Sequence, residues 1–374
     1  MAIMNANRFM VLVASLVASV CSFAQVIDGI YYKLDDNDKV AKVAYKEFKD
    51  PDFYTGDVKI PESVTYGGVT YKVTEIWPQA FSCSSKLTSI TIPNSIEVIS
   101  GGAFEYCDAL TSIYIPASVK SFAGGALRGC NNLTSIVVDK GNKNYYSNGS
   151  NAVIETGTNN LIQGCGKTVI PNTVTRIEWL AFEECESLTS IVIPSSVTQI
   201  DGSFAACINL KSITLHDGGK KIGRNTFDSC ISLESITLPS NLKEIEAYMF
   251  AGCKSLKEIT IPATVKSIGV YAFEGCNNLA KVTNLSATPQ TIYYQTFTTF
   301  GDLIVPEGAE EAYKNAPVWQ HFTTIVGKPL SSGIVSLMGS DSNQPTVVYD
   351  LLGKRFPAPQ KGLNIVNGKK VVVK

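Results

Sequence analysis

Ten cysteines and two histidines carry most of the chemistry this chain could perform. In an exported protein so many thiols would signal a disulfide framework. Their spacing argues otherwise. Cys107, Cys130, Cys185, Cys207, Cys230, Cys253 and Cys276 all stand three residues after a Phe or Leu, in one recurring slot. Ser84 holds that slot earlier in the chain, with Cys83 one place before it. Stacked slots bring Cα atoms within disulfide range, but their parallel Cβ vectors disfavour the bond. A small buried thiol that packs like a hydrophobe fits the pattern. Cys165 lies outside the slot and has no evident partner.

The histidines offer less. His216 and His321 are about a hundred residues apart, and neither sits in a catalytic motif. No H-E-x-x-H, G-x-S-x-G, P-loop or paired C-x-x-C occurs. The run Asp35-Asp36-Asn37-Asp38 lacks the Gly and distal Glu of a calcium loop and reads as a solvated turn. Glu183, Glu184 and Glu186 read as an outer-face patch. No catalytic set, metal site or cofactor is expected.

The elements that position these residues follow from a period of about 23 residues. Repeats begin at Ile60-Pro61, Ile92-Pro93, Ile115-Pro116, Ile170-Pro171, Ile193-Pro194, Leu215-His216, Leu238-Pro239 and Ile261-Pro262. A fixed period of this size marks a solenoid, in which each unit stacks only on its neighbours. The S-I-x-I stretch of each unit alternates as a strand and proline ends it, because proline cannot donate to the ladder. The V-x-x-I stretch predicts a second short extended piece. The A-F-x-x-C-x-x-L stretch has apolar residues three apart, which predicts a helical or 3-10 turn. Phe104, Phe182, Phe204, Phe227, Phe250 and Phe273 should stack inside. One unit, 138–170, is stretched to about 32 residues. Its extra piece predicts a hairpin, Asn151 to Ile154 and Asn160 to Ile162 around Gly157.

Composition bounds the partners. Net charge is −1 and 17% of residues are charged, which gives no footprint for nucleic acid or anionic lipid. Residues 1–24 read as a signal peptide: Arg8, an apolar run from Phe9 to Val20, and a Ser22-Phe23-Ala24 cleavage pattern. Cys21 raises a lipoprotein alternative, but Val20 occupies a place where a lipobox wants a small residue. No other segment reaches transmembrane length. Residues 25–59 read as an N-terminal β cap, 60–282 as the repeats, 283–328 as a C-terminal cap, 329–345 as a linker and 346–374 as a small β tail. Asn367-Gly368 predicts a tight turn within that tail.

The unit I-P-x-x-V-x-x-I-x-x-x-A-F-x-x-C-x-x-L-x-x-I resembles the BspA-type, or treponemal-type, leucine-rich repeat. That resemblance implies a curved right-handed α/β solenoid with a parallel β-sheet on its concave face, short helical turns and a small C-terminal β module. The stretched unit and the cap around Val305-Pro306-Glu307-Gly308, Tyr313, Trp319 and Phe322 are similar to parts of the same family. The tail is similar to C-terminal sorting modules of secreted proteins, which implies surface attachment. Relatives imply adhesion to host or microbial proteins or glycans.

With no catalytic set, function is expected on a surface. Strand alternation turns Thr91, Tyr114, Val192, Thr214, Thr237 and Thr260 outward, and Tyr145 and Tyr146 lie in the adjacent stretched unit. These eight form the expected binding surface, with the three tyrosines as anchor because Tyr is favoured at interfaces. The alternative is a structural part of the cell envelope or a biofilm.

Overall fold

The computed structural model describes residues 24–45, 54–217 and 221–329, and the strands Val348–Tyr349, Arg355–Phe356, Gly362–Val366 and Lys369–Val373. The expected signal peptide up to residue 23 with Cys21, the 330–345 part of the linker and the Asn367-Gly368 turn lie outside the described residues.

The repeats build a parallel β-solenoid of about 11 turns. Its longer strands come from the S-I-x-I stretches and pair in parallel, residue on equivalent residue. Ser112 faces Ser135, and Ser190, Ser212 and Ser235 follow one another. Alternation along these strands buries Ile113 and Ile115 and exposes Ser112 and Tyr114. A second ladder of two-residue strands comes from the V-x-x-I stretches, as in Arg176–Ile177, Gln199–Ile200 and Lys221–Ile222. Proline links the two. Lacking an N–H, it closes the strand, and its carbonyl accepts a turn bond three residues on. Val119 N–H donates to Pro116 at 3.3 Å and Val174 N–H to Pro171 at 3.0 Å.

The third side of each unit departs from the expected helical turn. Among the described residues, helix is confined to Tyr294–Thr296, Glu310–Lys314 and Trp319–His321. In the repeats, alternate residues do two different jobs. Ala80, Ser82 and Ser84 close turns onto Trp77, Gln79 and Phe81, while Phe81 and Cys83 donate to Ala103 and Glu105 of the next unit. A helix would use every N–H within its own segment. Sharing them between units requires a left-handed residue two places before and two places after each Phe. Around Phe227 these are Asn225 (φ 56°) and Ser229 (φ 59°); around Phe250, Tyr248 (φ 58°) and Gly252 (φ 69°).

Ala206 occupies one such place at φ 56°. An L-residue there costs roughly 1–2 kcal/mol against glycine. Part of that is offset by the greater freedom glycine has when unfolded. Ala206→Gly is therefore expected to stabilise the chain by about 0.5–1 kcal/mol. An urea midpoint that falls instead would contradict this account of the turn.

The slot cysteines face inward and are free. Most donate their thiol to the carbonyl of the Phe-slot residue one unit earlier: Cys130 to Phe104 at 3.0 Å, Cys207 to Phe182 at 3.0 Å, Cys276 to Phe250 at 3.0 Å. Phe stacking is divided rather than continuous. Phe81 and Phe104 stack at 5.3 Å, and a second column runs from Phe182 through Phe204, Phe227, Phe250 and Phe273 to Phe297. Leu127 and Gly164 fill the slots between. Phe182 Cε1 lies 2.2 Å from where a Cβ on Gly164 would be, so the ring uses that space.

The ends are closed differently. Gln25–Ile27, Ile30–Asp35 and Val40–Val43 form an antiparallel sheet, and Val40–Val43 continues it in parallel onto Val69–Ile76 of the first unit. At the other end Phe297 packs on Trp319 and Phe322, and Trp319 Nε1 donates to Gln290 O at 2.7 Å. The described tail is four short antiparallel strands rather than the expected three, with Val366 opposite Lys369.

Candidate binding surface

The outward column of the longer strands holds Thr91, Tyr114, Val137, Val192, Thr214, Thr237 and Thr260, all exposed. Val169 of the stretched unit is exposed at 72%. Ile170-Pro171 sets Val169 in the same register as Val192 ahead of Ile193-Pro194, a signal present in the sequence that the stretched unit obscured. Tyr114 and Val137, paired on adjacent strands, make the apolar centre of this column.

Beside this centre lies a depression of about 740 Å³. Its walls are Tyr114, Val137, Asp139 and Lys140 on one side and Tyr146, Asn148 and Gly149 of the stretched unit on the other. Tyr114 donates its hydroxyl to Asp139 Oδ2, and Gly141 N–H donates to Asp139 Oδ1 at 2.6 Å. These two donors, the Tyr114 hydroxyl first, hold the Asp139 carboxyl below its usual range, and Asp139 in turn raises Tyr114. The pair pins the Tyr114 ring at the mouth. Tyr146 is fixed by its hydroxyl, which donates to Asn159 Oδ1 at 2.9 Å and meets Thr173 Oγ1 at 3.2 Å.

Tyr145 does not share this surface. Its ring touches the depression floor but is only 6% exposed, edge-on to Phe122 at 6.4 Å, and its oxygen accepts the Phe122 N–H at 3.0 Å. The reason is strand alternation: Tyr145 and Tyr146 are consecutive, so one must face inward. Tyr145 takes the buried place that Ile99 and Phe122 hold in the preceding units.

Among the described residues the His and Cys side chains are not brought together as a set for covalent chemistry. The slot thiols are buried, and burial raises them: Cys185 to about 11, and Cys130, Cys230 and Cys276 to about 12. Such thiols are poor nucleophiles at neutral pH. His321 packs against Tyr294 and Phe300, and His216 is exposed at the end of its strand. Among the described residues no three His, Cys, Asp or Glu side chains are grouped to hold a metal ion. No helix among them is long and apolar enough to cross a membrane.

Three solved structures are similar to the chain. The chain is similar to the pneumococcal vaccine antigen PcpA, with 19% identity, a TM-score of 0.50, and coverage of 83% of this chain and 99% of that one. A leucine-rich cell surface protein from Faecalibacterium prausnitzii matches at 21% identity and a TM-score of 0.38, covering 84% of this chain and 97% of its own. A leucine-rich repeat protein from Bacteroides ovatus matches at 22% identity and a TM-score of 0.30, covering 76% and 100%. No curated protein matches significantly. The BspA type leucine-rich repeat region is matched in six copies over residues 62–166 and 159–280. Those spans take in the repeating strands, the cysteine slot and the stretched unit alike, and the chain belongs to the BspA type leucine-rich repeat family.

Proposed function

We propose that this chain is an exported, non-catalytic binding protein that holds an extracellular protein or glycan on its solenoid surface. The carrying observation is the exposed pair Tyr114 and Val137 at the depression that Tyr114 and Tyr146 flank. Aromatic rings held in place by their hydroxyls lose little freedom on binding, which suits them as anchors. The threonines around them offer hydroxyls to polar groups of a partner. Export would rest on residues 1–24, and attachment to the outer surface on 346–374.

Binding of the mature chain to immobilised matrix proteins and glycans tests the reading. Changing Tyr114 and Tyr146 together to Ala is expected to weaken the interaction about 30-fold or more, as for paired interface anchors. Tyr145→Ala should instead lower stability, because that ring is buried. Undiminished binding by the Tyr114, Tyr146 double variant would remove the anchor. Absence of any ligand, with loss of envelope or biofilm integrity on deletion, would favour a structural part instead. Fractionation with and without residues 346–374 tests attachment.

A further inference from the structure

We propose that the solenoid is two cooperative units joined at the 138–170 coil, with the depression as the seam between them. The buried side chains form two clusters. One runs from Ile30 to Val138 and takes in Tyr145, Val153 and Cys165; the other runs from Ile170 to Phe322 and takes in Ala152, Ile154 and Leu161. The Val153–Glu155 strand is the septum. Val153 faces the first core, while its neighbours Ala152 and Ile154 face the second. Two regular features are interrupted at this place. The phenylalanine column is broken by Leu127 and Gly164. Ser135–Val138 pairs back to Ser112–Ile115, and Ser190–Ile193 pairs forward to Ser212–Leu215, with no ladder joining them, an interruption this column also shows between Leu87–Thr91 and Ser112–Ile115 and between Ser235–Ile236 and Glu258–Ile261.

Polar side chains splice the gap. Elsewhere the Phe-slot N–H donates to the next unit's backbone, as Phe104 does to Ala126 at 2.8 Å. At the seam Leu127 N–H donates to Gln163 Oε1 at 3.4 Å, and Gln163 Nε2 donates onward to Ala181 O at 3.1 Å. Arg128 reaches back to Glu105 at 3.0 Å and across to Glu183 at 3.4 Å. Glu186 N–H donates to Asn131 Oδ1 at 2.9 Å. Backbone also crosses: Gly164 N–H donates to Ala181 O at 2.8 Å, and the septum strand is paired with Tyr145–Tyr146 on one side and with Asn160–Gln163 on the other. A repeat array is coupled by its nearest-neighbour interfaces, so a boundary without a shared apolar core transmits little. Tyr114 stands on the first unit and Tyr146 packs against the second core, so the mouth changes shape when the units move.

Hydrogen exchange on the full, reduced chain reads this directly and requires no ligand. Phe204→Leu is expected to speed exchange of the buried amides at 190–300 about tenfold and leave those at 87–122 unchanged. Phe104→Leu should do the reverse. Gln163→Ala should speed exchange at 127 and 163–165 while leaving both cores as they were. Either Phe variant accelerating both sets of amides equally, or all buried amides in the unmodified chain sharing one opening rate through mild urea, overturns the proposal.

Discussion

Phe227→Ala is expected to cost about 4 kcal/mol of unfolding free energy, the upper range for removing a buried ring. The ring is fully buried. It lies between Phe204 at 5.9 Å and Phe250 at 5.5 Å, with planes within 16° and 15° of parallel. Its neighbours cannot close the space, because backbone bonds fix the distance between units. Phe227 N–H donates to Met249 O at 2.9 Å and Phe204 N–H to Thr226 O at 3.0 Å. A cavity that cannot relax adds its own penalty to the lost transfer energy. Phe227→Leu is the informative control, since Leu127 occupies the same slot natively. It should cost about 1 kcal/mol. Urea unfolding of the two variants measures both values. A loss below about 1 kcal/mol for the alanine variant would mean that the stack does not hold the units together.

The second large effect is a collapse of stability above pH 9. Burial raises every slot thiol above its ordinary value, with Cys107, Cys207 and Cys253 raised furthest. In the unfolded chain these groups ionise near pH 8.5–9. Below that pH both states hold the proton and the thiols contribute no pH dependence. Above it the unfolded chain loses protons that the folded chain keeps, so stability falls as pH rises. Each thiol costs about 1 kcal/mol per pH unit, so seven of them cost on the order of 10 kcal/mol by pH 10. That is comparable to the whole stability of a typical domain. Thermal unfolding across pH 7–10.5 should show the fall, reversing on return to neutral pH. Cys253→Ala should flatten the slope by one thiol's share. Alkylation at pH 7.5 should spare the slot thiols until the chain is unfolded. A melting temperature unchanged between pH 8 and 10 would show that the thiols ionise in place.

Which of these features were legible in the residues depends on how local their causes are. The inward isoleucines, the proline that ends each strand and the shared cysteine slot all follow from a repeat whose own pattern must bury one face. The turn geometry did not follow. Glu184, Ala206, Ser229 and Tyr248 have no special preference for positive φ, yet all adopt it. They do so because N–H groups at alternate positions must reach the next unit, a demand that exists only once the units are stacked. Tyr145 and Tyr146 are alike as residues, and only the ladder onto Glu155 and Ile154 decides which turns inward.

The seam belongs to the same class. Gln163 could be any polar residue in a loop until the coil brings Leu127 and Ala181 to its two ends. Gly164 has an evident role only beside the Phe182 ring that fills its missing side chain.

The 23-residue period by itself determined the solenoid, its strands, its buried positions and its free thiols, because each unit repeats one burial problem with one solution. The tertiary structure alone decided the two cores, the divided phenylalanine column and the depression between Tyr114 and Tyr146. Those depend on how a coil about ten residues too long closes against neighbours of fixed spacing, and no pattern within a single unit encodes that closure.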